Sequence, residues 1–128
     1  MIEIQGIDHV QLAIPKNGEE VARDFYGALL RLREIAKPSP LAARGGCWFE
    51  GSGVVLHLGV EETFHPAQKA HPAFLVKDLE VVRRSLLAAH VPVLPDTILP
   101  TVKRFYAFDP FGNRLEFIQA GDGFSQRR

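Results

Sequence analysis

Four residues of metal-ligand type occupy matching places in a sequence that repeats itself. The stretches Phe49-Glu50-Gly51-Ser52-Gly53-Val54-Val55-Leu56-His57-Leu58 and Phe108-Asp109-Pro110-Phe111-Gly112-Asn113-Arg114-Leu115-Glu116-Phe117 nearly superimpose, and their ninth positions are His57 and Glu116. A second pair, His9 in Asp8-His9-Val10-Gln11-Leu12 and His71 in Ala70-His71-Pro72-Ala73-Phe74, follows at nearly the same spacing, each opening an apolar segment. Three imidazole nitrogens and one carboxylate oxygen suit a borderline divalent ion such as Zn, Ni, Co, Fe or Mn, and leave positions open in an octahedral set. A duplicated unit with two such residues per copy predicts a two-fold metal cup.

The elements that must carry these residues follow from periodicity. Alternation over Ile7 to Ile14 sends Val10, Leu12 and Ile14 to one face of a strand and His9, Gln11 and Ala13 to the other. Asn17 with Glu20 has the form of a capping box, and Val21, Phe25 and Leu29 recur behind it, which predicts a helix from about Gly18 to Leu32. Beyond the breakers Pro38 and Pro40, Cys47 to Glu50 and Val54 to Val60 read as strands around Gly51-Ser52-Gly53. Thr63 to Ala70 reads as a linker, after which the pattern restarts: a strand over His71 to Val76, an N-cap at Asp78, and a helix with Leu79, Val82, Leu86 and Ala89 on one face, ending near His90. Thr101 to Phe108 and Arg114 to Gln119 are the closing strands, around a turn at Asp109-Pro110-Phe111-Gly112-Asn113, and Gly121 to Arg128 reads as a frayed tail. In the last strand of each half His57 shares a face with Val55 and Gly59, and Glu116 with Arg114 and Ile118, opposite the bulkier Leu56, Leu58, Leu115 and Phe117.

Composition narrows the function classes. With 128 residues, 46% of them hydrophobic and 23% charged, the chain has the make-up of one globular domain. Fifteen basic residues balance fifteen acidic ones, which argues against nucleic acid as a ligand. The single Cys47 excludes an intrachain disulfide, and no apolar run approaches the roughly 20 residues that span a bilayer, so no membrane association is expected. The N-terminal residues lack the pattern of a secretory signal, and the expected location is cytoplasmic. Cys47 reads as a buried small hydrophobe, Glu50 and Asp109 as turn residues, and His65 and His90 as residues outside the site. Arg104 and Tyr106 share a face and stand either at the rim of the cup, toward an anionic substrate, or on a solvated edge; Trp48 and Phe105 line the pocket or belong to the core.

Taken in order, Ile7-Asp8-His9-Val10, Phe25-Tyr26 leading into Leu29 through Leu32, Asp109-Pro110-Phe111-Gly112-Asn113, and Leu115-Glu116-Phe117 resemble the vicinal oxygen chelate superfamily, which includes glyoxalase I, extradiol dioxygenases, fosfomycin thiol transferases and bleomycin-resistance proteins. The resemblance covers roughly Ile7 to Gln119. It implies an α+β fold in which two βαβββ modules, about 5–62 and 68–120 of a single domain over 1–128, form a curved mixed sheet around a metal cup, with helices on the outer face. It also implies one ligand from the first and one from the fourth strand of each module, the places that His9, His57, His71 and Glu116 hold. Bacterial glyoxalase I carries a glutamate where this chain has His57, a departure that bears on glutathione-dependent activity.

The leading expectation is therefore a metal-dependent lyase or isomerase of the glyoxalase type. It would chelate two adjacent oxygens of a small molecule and stabilise an enediolate-like intermediate, with Glu116 as the catalytic base. Two alternatives stand beside it: an Fe(II)-dependent extradiol-type dioxygenase using His9, His71 and Glu116, and a non-catalytic protein that binds a small molecule or antibiotic in the same cup. The resemblance also implies a homodimer whose site takes His9 and His57 from one chain and His71 and Glu116 from the other.

Overall fold

The computed structural model describes residues 1–121, and the chain divides into two compact units, Met1–Phe64 and the part from His65 onward. Each unit is one βαβββ module, and the architecture is α+β as expected. The first runs β1 (Val10–Pro15), α1 (Glu19–Ala22) continuing as a π-helical segment (Arg23–Leu29), β2 (Arg33–Ile35), a short α2 (Ser39–Ala42), β3 (Cys47–Gly51) and β4 (Val54–Glu61). The second runs β5 (Ala73–Val76), α3 (Leu79–Ala88), β6 (Val93–Asp96), β7 (Arg104–Phe108) and β8 (Arg114–Gln119). The strand orders are equivalent, β1-β4-β3-β2 and β5-β8-β7-β6, and in both modules the first strand lies parallel to the fourth. The last strand is thus interior to its sheet, flanked by the first strand on one side and the third on the other. Among the described residues no helix is long and apolar enough to cross a membrane.

Each sheet has a core face and an opposite face. Ile14, Phe49, Leu56, Leu58 and Cys47 are buried in the first module together with Ala22, Phe25 and Tyr26 of its helix. Leu86, Phe105, Ala107, Leu115 and Phe117 are buried in the second. Burial pushes the Cys47 thiol up to about 11, which makes it the inert small hydrophobe its sequence context implies rather than a nucleophile.

Several local expectations are corrected. Asn17 adopts a left-handed backbone (φ 65°), the N-cap is Gly18, and no side chain caps α1, so the capping box does not form. Val21 is exposed, and the buried stripe is Ala22, Phe25 and Tyr26. The π-helical segment accounts for this, because its wider turn, with Leu30 donating to the Phe25 carbonyl at 2.9 Å, lets the adjacent Phe25 and Tyr26 both turn inward. The helix ends at Leu29 and α3 at Ala88, with Ala89 exposed and His90 in a left-handed conformation (φ 62°). β1 begins at Val10, β5 at Ala73 and β7 at Arg104, each a few residues later than alternation alone implies. Glu50 is no turn residue; it lies in β3 and pairs with Arg33. Only Gly121 of the expected C-terminal tail falls within the described residues.

The ten-residue repeat also slips. Ser52 and Gly53 close the first hairpin between Gly51 and Val54, whereas the second spans Asp109 to Asn113 between Phe108 and Arg114. The structural counterpart of Phe49, opposite Leu56, is therefore Ala107, opposite Leu115, and Phe108 is exposed. On the outgoing strand the alignment holds, which keeps His57 and Glu116 equivalent. Asp109 makes the longer turn rigid: its Oδ1 accepts from the amides of Phe111 (2.9 Å) and Asn113 (2.8 Å), and its Oδ2 from the Asn113 side chain (2.9 Å).

Asp78 caps α3 as expected, accepting from the amides of Glu80 (3.1 Å) and Val81 (3.2 Å). Replacing it by Ala leaves both amides without that acceptor and is expected to lower stability by about 1 kcal/mol. Urea unfolding would show this as a lower midpoint at unchanged slope.

Candidate functional site

The four candidates come as two pairs, one in each module, on the sheet face opposite the core. In the first module Trp48 lies directly across from His57 in the β3–β4 ladder. The two rings stack with centroids 3.7 Å apart and an interplanar angle of 1°. His9, one residue before β1, lies at 3.9 Å from the His57 ring and 21° to it. His57 is thus buried between Trp48 and His9, with only its ring edge left for coordination. Gln11 shares this face, its side chain packing over Gly59, where a Cβ would crowd it.

The hydrogen-bonding positions of these imidazoles are partly fixed. His9 Nδ1 donates to Asp8 Oδ2 at 2.9 Å, since a carboxylate can only accept, and this leaves Nε2 as the lone-pair nitrogen. A carboxylate behind an imidazole is the common arrangement that orients a metal-ligating histidine. Burial, and secondarily the His9 ring, hold the His57 imidazole below the usual histidine range, so it is neutral and ligand-competent at pH 7.

A pH dependence follows. The unfolded His57 titrates near 6.5, and the folded group lower. Between those two values the unfolded chain binds a proton that the folded chain does not. The His57 contribution is therefore complete above about pH 6.5 and is lost as pH falls through the folded value. Metal-free protein should lose thermal stability from pH 7.5 to pH 5.5, and a His57→Gln variant should lose less. Equal losses in both proteins would contradict this account of His57.

In the second module His71 and Glu116 meet directly, with His71 Nε2 2.9 Å from Glu116 Oε1. His71 lies two residues before β5, and the Pro72 carbonyl accepts from the Glu116 amide at 3.1 Å, extending the β5–β8 ladder to the histidine's neighbour. The other ring nitrogen, Nδ1, is 2.6 Å from the Lys69 carbonyl, which accepts only, so Nδ1 carries a hydrogen. Glu116 is buried, and its second oxygen accepts from Arg104 at 3.2 Å, while Arg104 also pairs with Asp96 at 2.7 Å. Tyr106, the cross-strand partner of Glu116, meets His71 edge to face at 5.5 Å and carries the Arg114 guanidinium 4.1 Å above its ring.

These residues fit a divalent ion by their own chemistry. With Nδ1 committed as a donor, a neutral His71 turns the lone pair of Nε2 toward a carboxylate oxygen at 2.9 Å. Two lone pairs at that distance need a cationic centre along the shared edge, either a proton or a metal ion. His9 Nε2 and the neutral His57 are donors of the same kind. Among the described residues, no group of three or more His, Cys, Asp or Glu stands close enough to hold one ion.

Alternation alone does not decide the sides taken by Trp48, Phe105, Arg104 and Tyr106. Trp48, Arg104 and Tyr106 belong to the site face and Phe105 to the core. No motif in the sequence marks Asp96, the Lys69 carbonyl or the orienting role of Asp8. Alternation combined with strand pairing would have found Tyr106 opposite Glu116, but Asp96 lies on a third strand and no local pattern points to it.

Comparison with known proteins gives the fold a context. No family model matches the chain, and no curated protein matches it, whereas solved structures do. A glyoxalase family protein from Bacillus anthracis superposes with a TM-score of 0.89 at 48% identity, over 93% of this chain and 98% of that one. The fosfomycin resistance protein FosX from Listeria monocytogenes superposes with a TM-score of 0.76 at 16% identity, over 98% of this chain and 100% of that one. Lactoylglutathione lyase from Agrobacterium tumefaciens gives 0.67 at 18% identity, over 91% and 95%. At such identities the last two establish a common fold and nothing finer.

Proposed function

Since the chain belongs to the glyoxalase family of the vicinal oxygen chelate superfamily, we propose that it is a metal-dependent lyase or isomerase acting on a small molecule with two adjacent oxygens. The observation that carries this reading is the part-buried His71–Glu116 pair at 2.9 Å, an imidazole–carboxylate edge that can hold a metal ion in place of a proton. His71 and Glu116, with His9 and His57, would hold the ion. When bound, it supplies Lewis acidity toward the substrate's two oxygens.

The chain's own residues then divide the work. Glu116 is the one carboxylate in the set, and its Oε1, on leaving its place beside His71, is the atom that accepts a proton from the carbon beside the substrate carbonyl and returns it to the neighbouring atom. Arg104 keeps Oε2 engaged, so the proton-carrying oxygen is defined. Asp96 holds Arg104 in turn, which keeps the guanidinium from drifting toward the substrate. The Lys69 carbonyl fixes the His71 ring by its Nδ1–H, and Asp8 does the same for His9. We further propose that the two pairs meet across a homodimer, His9 and His57 of one chain with His71 and Glu116 of the other; a monomeric mass in solution at full metal occupancy would contradict that pairing.

Proton exchange tests the reaction class. In D2O the metal-loaded protein should incorporate deuterium at the carbon beside the carbonyl of a 2-hydroxy ketone, and Glu116→Gln should not. A second reading, an Fe(II) dioxygenase using His9, His71 and Glu116, gains support from the enclosure of His57 between Trp48 and His9. Oxygen uptake with catechols, in place of deuterium incorporation, would favour it.

A further inference from the structure

We infer that Arg114 is the specificity residue of the site, and that the substrate carries a carboxylate that supplies one oxygen of its adjacent pair, as in a 2-oxo or 2-hydroxy acid. This inference deepens the metal-site reading and rests on it for the chelated oxygens alone. Three guanidinium and carboxylate groups of the second module close on themselves: Arg104 is shared between Asp96 at 2.7 Å and Glu116 at 3.2 Å. Arg114 is different. It precedes Glu116 by two residues on the same face of β8, so both side chains project from that face one pleat apart. Its guanidinium lies 4.1 Å over the Tyr106 ring, which packs at right angles to the His71 ring. Among the described residues no Asp or Glu lies within ion-pair distance of it.

A guanidinium over an aromatic face is held there by the ring's quadrupole, and its N–H donors still reach an anion lying beside it. The guanidinium fork matches a planar carboxylate through two parallel hydrogen bonds, a geometry that neither a neutral amide nor a lysine ammonium reproduces. The stack also limits the side chain's freedom, so little further ordering is needed when an anion arrives. The same face presents Phe108, which is exposed and lies across from Arg114 in the β7–β8 ladder, as an apolar wall beside the fork. A small acid with one planar anionic end and a short apolar remainder fits these neighbours.

The test uses glycolate, its neutral counterpart glycolamide, and hydroxymethylphosphonate, which share adjacent oxygens and differ in the charged group. Binding to the full-length protein is followed by ligand-observed NMR, with zinc content measured on the same samples. The zinc-loaded protein should prefer glycolate over glycolamide by at least about tenfold. Arg114→Gln should lose that preference while keeping its zinc and its thermal midpoint, and Arg114→Lys should recover only part of it. Equal preference in the wild type and in Arg114→Gln would overturn the assignment. Tighter binding of hydroxymethylphosphonate than glycolate, lost in Arg114→Gln, would overturn the carboxylate class. Should the protein take up no zinc, the metal reading fails by itself, and an Arg114-dependent preference for glycolate in the metal-free protein would still support the role of Arg114.

Discussion

Replacement of Glu116 by Gln is expected to weaken divalent-metal binding on the order of a hundredfold or more, with the fold left intact. The amide has the shape of the carboxylate. Its oxygen can still accept from Arg104, and its NH2 can donate to His71 Nε2, the nitrogen now 2.9 Å from Glu116 Oε1. Arg104 keeps its pairing with Asp96, so no buried charge is stranded. What disappears is the negative charge that would hold a cation on the shared edge, together with the base proposed at Glu116. Thermal unfolding would therefore change little, while metal titration and proton exchange would change greatly. A Glu116→Gln protein that retains wild-type metal affinity would reduce Glu116 to an ordinary buried strand carboxylate.

The largest effect on stability is expected at Gly46. Its backbone is left-handed (φ 83°), and a Cβ there would overlap the Leu58 carbonyl oxygen and lie 3.2 Å from the Leu58 carbonyl carbon. Those are backbone atoms of β4 and cannot rotate away. The Gly46 amide also donates to Glu19 Oε2 at 2.8 Å, tying the segment before β3 to the start of α1. Ala at this position must push β4 or distort the turn, at a cost of about 3 kcal/mol or more. Gly53 is the control: it has a similar φ of 78°, yet nothing lies within 4 Å of the added Cβ. Gly53→Ala should cost about 1 kcal/mol from backbone strain alone. Because β4 carries His57, Gly46→Ala should also disturb the Trp48–His57 stack, visible in the fluorescence of the only tryptophan.

The contrast between these two glycines shows which parts of the molecule were legible in the sequence. Gly53 sits in a stretch whose turn chemistry is local, and the hairpin it closes was readable, as were β8, the Asp78 cap and the equivalence of His57 with Glu116. Gly46 is required by a strand that follows it in sequence and approaches only after folding. β2 and β6, implied by the βαβββ resemblance, could not be placed by local pattern for a related reason: each is a short edge strand, one of three residues and the other containing Pro95, held by pairing with a neighbour rather than by its own alternation. The π-helical segment was hidden because periodicity assumes 3.6 residues per turn, and Phe25-Tyr26 departs from it. At the site the candidate ligands were legible because the duplication marks them twice. The groups that orient them, the Lys69 carbonyl and Asp96 through Arg104, are marked by nothing but register and proximity.

Elemental analysis of protein purified without added metal, followed by titration with zinc, tests the central claim most directly. The account predicts about one tightly bound divalent ion per chain, as two ions shared in a homodimer require, with removal by a chelator and loss in Glu116→Gln. A wild-type protein that is isolated without metal, and that takes up no zinc, nickel, cobalt, manganese or Fe(II) on titration, would contradict it.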